Sequence, residues 1–277
     1  MTETIFNAET TIRLAGFFGI FLIVAVWEMV AARRPLHYSK AVRWYSNLGI
    51  TTINGLLLQL IFPILAVSMA AMGQERSWGL FNNFSVPFWL AFVLSLLILD
   101  FVIYLQHLMF HQVPALWLLH RMHHTDLDYD VTTGSRFHPI EIILSMLIKF
   151  SAIVVIGPAP FAVLIFEIVL NATAMFNHGN IRIPVRFDRY LRWFVVTPDM
   201  HRVHHSIHLE ETNSNYGFNV PWWDRLMGTY TAQPRDGHDE MTIGIEIFRD
   251  KKYLHLARLL LLPFLISKDG PSKKIDR

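Results

Sequence analysis

The chain contains no cysteine, which excludes disulfide bonds and thiolate metal sites. It is also poor in charge, because charged residues make up 17% of the 277 residues and the formal net charge is +2. So small a positive charge does not favour nucleic-acid binding. Hydrophobic residues reach 53%, and the mean hydropathy of +0.34 is high for a soluble globular domain. This composition predicts an integral membrane protein.

Apolar runs along the chain are long enough to cross a bilayer several times. The predicted spans are 14–32, 48–72, 86–110 and a hairpin over 140–177 that turns at Gly157-Pro158. The polar segments 111–139 and 178–253 are predicted to form a cap, and the short tail 254–266 an interfacial helix. Periodicity predicts almost no strand. We therefore expect residues 1–277 to form one all-α domain, a multi-pass membrane helical bundle with a histidine-rich cap.

The positions of basic residues predict the orientation of this bundle. Arg33, Arg34, Lys40 and Arg43 follow the first span, which places the 33–46 loop in the cytoplasm by the positive-inside rule. The third span and the hairpin then both end on the cytoplasmic face. The N-terminus, the 73–85 loop and the 157–158 turn are expected on the opposite face.

Two charged residues lie inside the predicted hairpin. Lys149 and Glu167 stand at similar distances on either side of the Gly157-Pro158 turn, so antiparallel arms place them at similar depth. Isolated charges at that depth are unfavourable, and pairing lowers their free energy. The sequence therefore predicts an ion pair between them.

Histidine recurs in one pattern, as HLMFH at 107–111, HRMHH at 120–124 and HRVHH at 201–205. Positions i, i+3 and i+4 share a helix face, so each motif directs its rings to one point. Neutral imidazole binds transition metals such as zinc, iron, copper and nickel. The clusters therefore predict a metal centre on the cytoplasmic face with eight ligands, namely His107, His111, His120, His123, His124, His201, His204 and His205.

Two further histidines are candidate ligands. His138 in RFHPIE and His178 in FNHGN lie near the predicted centre, and the alternative for each is a hydrogen bond to a ligand. One metal takes about three to six ligands, so eight to ten histidines predict two metals. The remaining histidines stand in loops or the tail and are interpreted as ordinary residues: His37, His208, His238 and His255.

Asp100 and Tyr104 share the helix face of His107 and His111 inside the third span. An ionisable residue at that depth has a functional role by default, so we predict that Asp100 supports the metal ligands and that Tyr104 belongs to the catalytic site. The alternative for Asp100 is a structural hydrogen bond with an N–H group or a tyrosine hydroxyl.

The run D-x3-Y-x2-H-x3-H, the two H-x2-HH motifs, NYG at 215–217 and WDRLMGTY at 223–230 resemble the fatty acid hydroxylase/sterol desaturase superfamily of membrane di-iron oxygenases. The resemblance extends from about Asp100 to Tyr230. It implies two iron ions, replaceable by zinc in purified protein, that use O2 to hydroxylate or desaturate an unactivated C–H bond of a fatty acyl or sterol-like membrane lipid. It also implies ligand roles for the eight clustered histidines, for His178 and for His138. Yeast-type members carry a second H-x3-H pair in the hairpin, whereas here Ala174 stands at its first position.

The resemblance further implies a separate electron-transfer protein or reductant, because the chain carries no cytochrome b5-like domain. The nearest alternative is an ether-lipid (alkylglycerol) monooxygenase that uses a pterin reductant. A metal transporter or storage protein is a more distant alternative. Transporters bind their cargo near the bilayer midplane, whereas the histidines of this chain are predicted to lie beyond the helix ends on one face. The sequence does not predict the oligomeric state.

Overall fold

A computed structural model describes residues 2–265 of the chain. In this part all regular structure is helical, apart from two isolated β-bridges. The helices are α1 (Thr2–Val30), α2 (Lys40–Ile61), α3 (Ala66–Glu75), α4 (Leu80–Asn83), α5 (Phe88–Gln112), α6 (Pro114–His124), α7 (Pro139–Ile156), α8 (Pro160–Asn177), α9 (Val185–Leu191), α10 (Pro198–His204), α11 (Leu209–Thr212), α12 (Trp222–Met227), α13 (Gly237–Glu240) and α14 (Leu256–Leu261). The prediction of an all-α membrane bundle is confirmed.

Five helical segments of the described chain are long and apolar enough to cross a membrane, namely Glu9–Val30, Lys40–Asn83, Phe88–Gln112, Pro139–Ile156 and Pro160–Asn177. They comprise α1, the α2–α4 region, α5, α7 and α8. Such helices are consistent with a multi-pass membrane protein.

The segment 48–72, expected as one span, is divided between α2 and α3. Phe62 is extended, with φ −107° and ψ 114°. Pro63 explains the break, since proline disfavours the helical conformation of the residue before it and has no N–H to donate. After the break, α3 packs against α7 and α8.

Gly157 ends α7 in the left-handed region, with φ +68°. A Cβ at this position would lie 2.5 Å from the carbonyl oxygen of Trp78, so only glycine fits here. This contact places the 73–85 loop and the hairpin turn at the same end of the bundle.

The predicted ion pair inside the hairpin is confirmed. Lys149 Nζ lies 2.5 Å from Oε1 of Glu167. Arg13 of α1 donates to the other oxygen of the same carboxylate. The three charges therefore connect α1, α7 and α8.

Arg43 of α2 is fully buried and anchors the loop that follows α6. Its Nε lies 2.7 Å from Asp126 and its Nη1 2.5 Å from Asp130. Burial alone would raise the pKa of Asp126, but the charges of Arg43 and Arg136 outweigh burial and hold that pKa below its usual value. The loop is thereby fixed against α2 at the histidine-rich end of the bundle.

The described part of the tail packs against the protein on one side. Leu259 and Leu262 are buried beside Met122 of α6 and Ile50 of α2. The opposite side exposes residues such as Phe264. Position 266, the last of the predicted tail, lies outside the described residues.

Candidate metal centre

Nine of the predicted ligands come together at one end of the bundle, and all nine are buried. They come from the last turns of α5, from α6, from the C-cap of α8 and from α10 with the residue that follows it. These side chains are His107, His111, His120, His123, His124, His178, His201, His204 and His205.

The nine imidazoles form two groups, in each of which one nitrogen per ring lies within 4.8 Å of all the others. The group of five consists of His107, His111, His120, His124 and His204. The group of four consists of His123, His178, His201 and His205. Both H-x2-HH motifs are therefore divided between the groups, and the two groups are adjacent, with the rings of His124 and His205 4.6 Å apart.

Oxygen acceptors fix the orientation of most of these rings. Nδ1 of His107 donates to the carbonyl of Tyr216 at 2.7 Å, and Nδ1 of His204 to that of Ser214 at 2.6 Å. Nδ1 of His178 donates to its own helix, at 2.7 Å from the Ala174 carbonyl. Since a neutral ring has one N–H, these bonds leave Nε2 with a lone pair for a metal. Nδ1 of His111, His120 and His123 likewise lies near oxygen.

The Nε2 atoms face one another at distances that suit a shared metal. They are 3.1 Å apart in His107 and His120, and 3.1 Å apart in His123 and His178. Two lone pairs at this distance repel each other. By contrast, two nitrogens bound to one ion at about 2.1 Å and roughly a right angle lie about 3 Å apart. The donor set therefore fits one metal ion in each group.

The protonation state of the rings also favours metal binding. Burial, followed by the neighbouring histidines, holds the pKa of His124, His201 and His205 well below the usual value. Burial also lowers the pKa of His178 to about 3. Neutral imidazole is the form that binds metal.

Glu141 is a site residue that the sequence interpretation missed. It lies in the first turn of α7, and its Oε1 accepts from Nδ1 of His120 at 2.7 Å. A carboxylate behind a ligand histidine orients the ring and raises its basicity. The only local signal was the position of Glu141 three residues after His138, and nothing in the sequence indicates its contact with His120.

Asp100 and Tyr104 are buried on α5, about two turns and one turn before His107, but neither forms a hydrogen bond to a histidine among the described residues. Asp100 accepts from the indole N–H of Trp223 at 2.8 Å. The Tyr104 hydroxyl lies 2.9 Å from Oγ1 of Thr229. Both contacts fix the segment around α12 to α5.

That segment carries a second carboxylate that was not predicted. Asp224 accepts from the backbone N–H groups of Tyr216 and Gly217, at 2.8 and 2.9 Å. Burial raises the pKa of Asp224 to about 6. The contact with Tyr216 positions the carbonyl that orients His107.

His138 is not brought into either group. Its Nδ1 accepts from the backbone N–H of Ile140 as the N-cap of α7, and its Nε2 lies 3.2 Å from the carbonyl of Leu260. The histidines interpreted as ordinary also lie outside both groups, namely His37, His208, His238 and His255.

A cavity of about 390 Å³ extends from the group of five into the membrane-spanning part of the bundle. His107, His120 and Glu141 line it at one end, and it also reaches Lys149 and Glu167. Apolar side chains make up much of its wall, including Leu58, Ile103, Phe110, Phe137, Met146 and Phe218. Its size is typical of small-molecule sites.

The fatty acid hydroxylase family matches residues 92–229. The ornithine lipid hydroxylase OlsE of Rhizobium tropici is 32% identical over 152 residues, which are 54% of this chain and 45% of that protein. The alkylglycerol monooxygenase of Xenopus tropicalis is 31% identical over 228 residues, which are 77% of this chain and 46% of that protein. The cholesterol 25-hydroxylase of Rattus norvegicus is 23% identical and covers 83% of this chain and 76% of that protein.

The chain spans about half the length of the first two relatives. No solved structure matches it.

Proposed function

We propose that this chain, which belongs to the fatty acid hydroxylase superfamily, uses O2 at two metal ions to hydroxylate or desaturate an unactivated C–H bond of a membrane lipid. The observation that carries the proposal is the pair of buried imidazole groups at the end of an apolar cavity. A group of five and a group of four supply the ligands of one ion each.

The metal we propose is iron, with zinc as a substitute in purified protein. All-imidazole sites accept either ion, and bound iron supplies the electron transfer that activates O2. In hydroxylation one oxygen atom enters the C–H bond and the other leaves as water. The two electrons and two protons needed come from a separate electron-transfer protein or reductant.

The protein residues orient the ligands and exclude water. Glu141 and the carbonyl of Tyr216 hold His120 and His107, the two ligands that line the cavity. We propose that Asp100 and Tyr104 act by positioning, since they fix the α12 segment that carries Asp224. The burial of all nine histidines limits side reactions with solvent.

We propose that the lipid enters from the bilayer and that the metal centre faces the cytoplasm. The cavity lies among helices apolar enough to cross a membrane, so a hydrocarbon chain reaches the centre without entering water. The orientation rests on the basic residues after α1. The electron donor then approaches from the aqueous side.

Ether-lipid cleavage with a pterin reductant is the second candidate. Relatives named alkylglycerol monooxygenase in several animals favour it. Hydroxylation next to an ether oxygen would release an aldehyde, which separates this reaction from the main proposal.

Lipid mass spectrometry of membranes from cells with and without the protein tests the proposal, together with the metal content of the purified protein. A gain of one oxygen indicates hydroxylation, a loss of two hydrogens desaturation, and a released aldehyde ether cleavage. Bound metal without any change in lipids would contradict the proposal and favour a storage or transport protein.

A further inference from the structure

Besides Glu141, three charged side chains line the cavity among the membrane-spanning helices: Arg13, Lys149 and Glu167. Glu167 is the shared partner, because it accepts from Lys149 with one oxygen and from Arg13 with the other. Charged residues inside spanning segments are rare and usually have a functional role. A single ion pair would neutralise the two charges of the hairpin, yet a third charge, from α1, faces the same cavity.

Arg13 and Lys149 have more hydrogen-bond donors than these contacts use. An ammonium has three N–H donors and a guanidinium five. Towards the side chains that the structure describes, Lys149 uses one donor, to Glu167, and Arg13 uses two, to Glu9 and Glu167. Unused donors in a cavity with a largely apolar wall favour a ligand that accepts hydrogen bonds. These donors therefore suit a group with an oxygen acceptor.

The formal charges indicate whether this oxygen belongs to a neutral or to an anionic group. Glu9, Arg13, Lys149 and Glu167 form one connected network with two charges of each sign. An anionic ligand would leave an uncompensated charge inside the membrane region, whereas a neutral group preserves the balance. The network therefore suits a hydroxyl, ester or ether oxygen better than a carboxylate or a phosphate.

The network lies at a fixed distance from His178 and from Glu141, the hydrogen-bond partner of His120. Glu167 precedes His178 by eleven residues on α8, and Lys149 follows Glu141 by eight on α7. At 1.5 Å per residue these separations are about 16 and 12 Å along the helices. Because an extended chain zigzags and advances only about 1.2 Å per bond, roughly ten to fourteen bonds cover these distances.

We propose that Arg13, Lys149 and Glu167 form a polar subsite that binds a neutral oxygen group of the lipid substrate, while its hydrocarbon chain extends through the cavity to His107 and His120. The inference rests on the proposed function and specifies its substrate class. The oxidised carbon is then set by its distance from the oxygen group, roughly ten to fourteen bonds, and not by its distance from the methyl end.

Straight-chain primary alcohols test this in the unmodified protein. Cells with and without the protein receive dodecanol, tetradecanol, hexadecanol or octadecanol, and mass spectrometry locates the oxidised carbon. The expected result is one position, counted from the hydroxyl, in every alcohol accepted. A position that stays constant from the methyl end would overturn the subsite, and so would oxidation of cell lipids with no alcohol accepted.

Variants at Lys149 assign the effect to the subsite. Lys149→Met removes the ammonium and should spread the products over several carbons. It should also reduce the preference for hexadecanol over hexadecane by roughly tenfold, which is about 1.4 kcal/mol. Metal content should not change, because Lys149 contacts no metal ligand. Lys149→Arg should restore a single position.

Ser151→Ala is the matched control. Ser151 is exposed on the same helix, donates only to the carbonyl of Leu147 and does not line the cavity. Its product pattern should equal that of the unmodified protein. Unchanged products in Lys149→Met would overturn the subsite while the oxidation itself stands. A protein that binds no metal and oxidises no lipid would instead overturn the proposed function.

Discussion

His204 provides one of the five imidazoles in its group, and its Nδ1 is held by the carbonyl of Ser214. His204→Ala should lower metal affinity in that group and lipid oxidation by more than roughly 100-fold, since loss of an outer partner alone reduces affinity or activity 10–100-fold. Elemental analysis and product mass spectrometry measure the two effects. His255→Ala is the control, because His255 is exposed and outside both groups. Two metals per chain and full turnover in His204→Ala would contradict the metal-centre assignment.

Neutralising Glu141 or Asp100 compares how much each carboxylate supports the metal centre. Glu141→Gln removes the charge that accepts from His120, so metal affinity or activity should fall roughly 10–100-fold. Asp100→Asn keeps an oxygen that can accept from Trp223, so its effect should be smaller. Steady-state oxidation rates and metal titration in both variants show which carboxylate supports the metal centre more strongly. A larger loss in Asp100→Asn would support the original hypothesis that Asp100 is the main carboxylate behind the ligands.

The histidine motifs were predictable because their spacing is local to one helix face. The partners of the rings were not, since they come from distant segments. Glu141 is 21 residues from His120, and the carbonyl of Tyr216 is 109 residues from His107. His138 has the spacing of a plausible ligand, but the start of α7 uses its Nδ1 as an N-cap.

Gly157 is the residue on which the α7–α8 hairpin turn depends. Gly157→Ala should lower the free energy of unfolding by about 1–3 kcal/mol, since alanine at φ +68° is strained and its Cβ meets the Trp78 carbonyl. The thermal midpoint in detergent reports the loss. Gly19→Ala in α1 is the control, because its added Cβ would meet no atom outside its own helix within 4 Å. Equal midpoints for both variants would rule out the steric explanation.

At the scale of helices, long apolar runs gave reliable predictions and short elements did not. The break at Pro63 was visible in the sequence, but length alone suggested one span over 48–72. The six-residue α12 is too short to show periodicity, and yet Trp223 fixes it beside the middle of α5. The predicted polar cap nevertheless exposes several large apolar side chains, including Leu226 of α12 and, in and after α9, Phe187, Tyr190, Trp193 and Phe194.

The orientation of the whole bundle is open to direct labelling. Ser85 and Arg235 are exposed at positions expected on opposite sides of the membrane, and the chain has no native cysteine. In Ser85→Cys an impermeant thiol reagent should react from outside, and in Arg235→Cys only after permeabilisation. Reaction of both from outside would refute the predicted topology. The sequence predicts this arrangement from charge alone, whereas the division of the imidazoles into groups of five and four depends on packing that no motif reveals.

The division of each H-x2-HH motif between the two imidazole groups has a consequence for how the two proposed metal ions would be loaded. α6 supplies His120 and His124 to one group and His123 to the other, so the first ion to bind also fixes the helix for the second. Loading should therefore be cooperative. Native mass spectrometry during titration of the metal-free protein should show chains with no ion or two ions, and few with one. A dominant one-ion species at half-saturation would mean that the two groups fill independently.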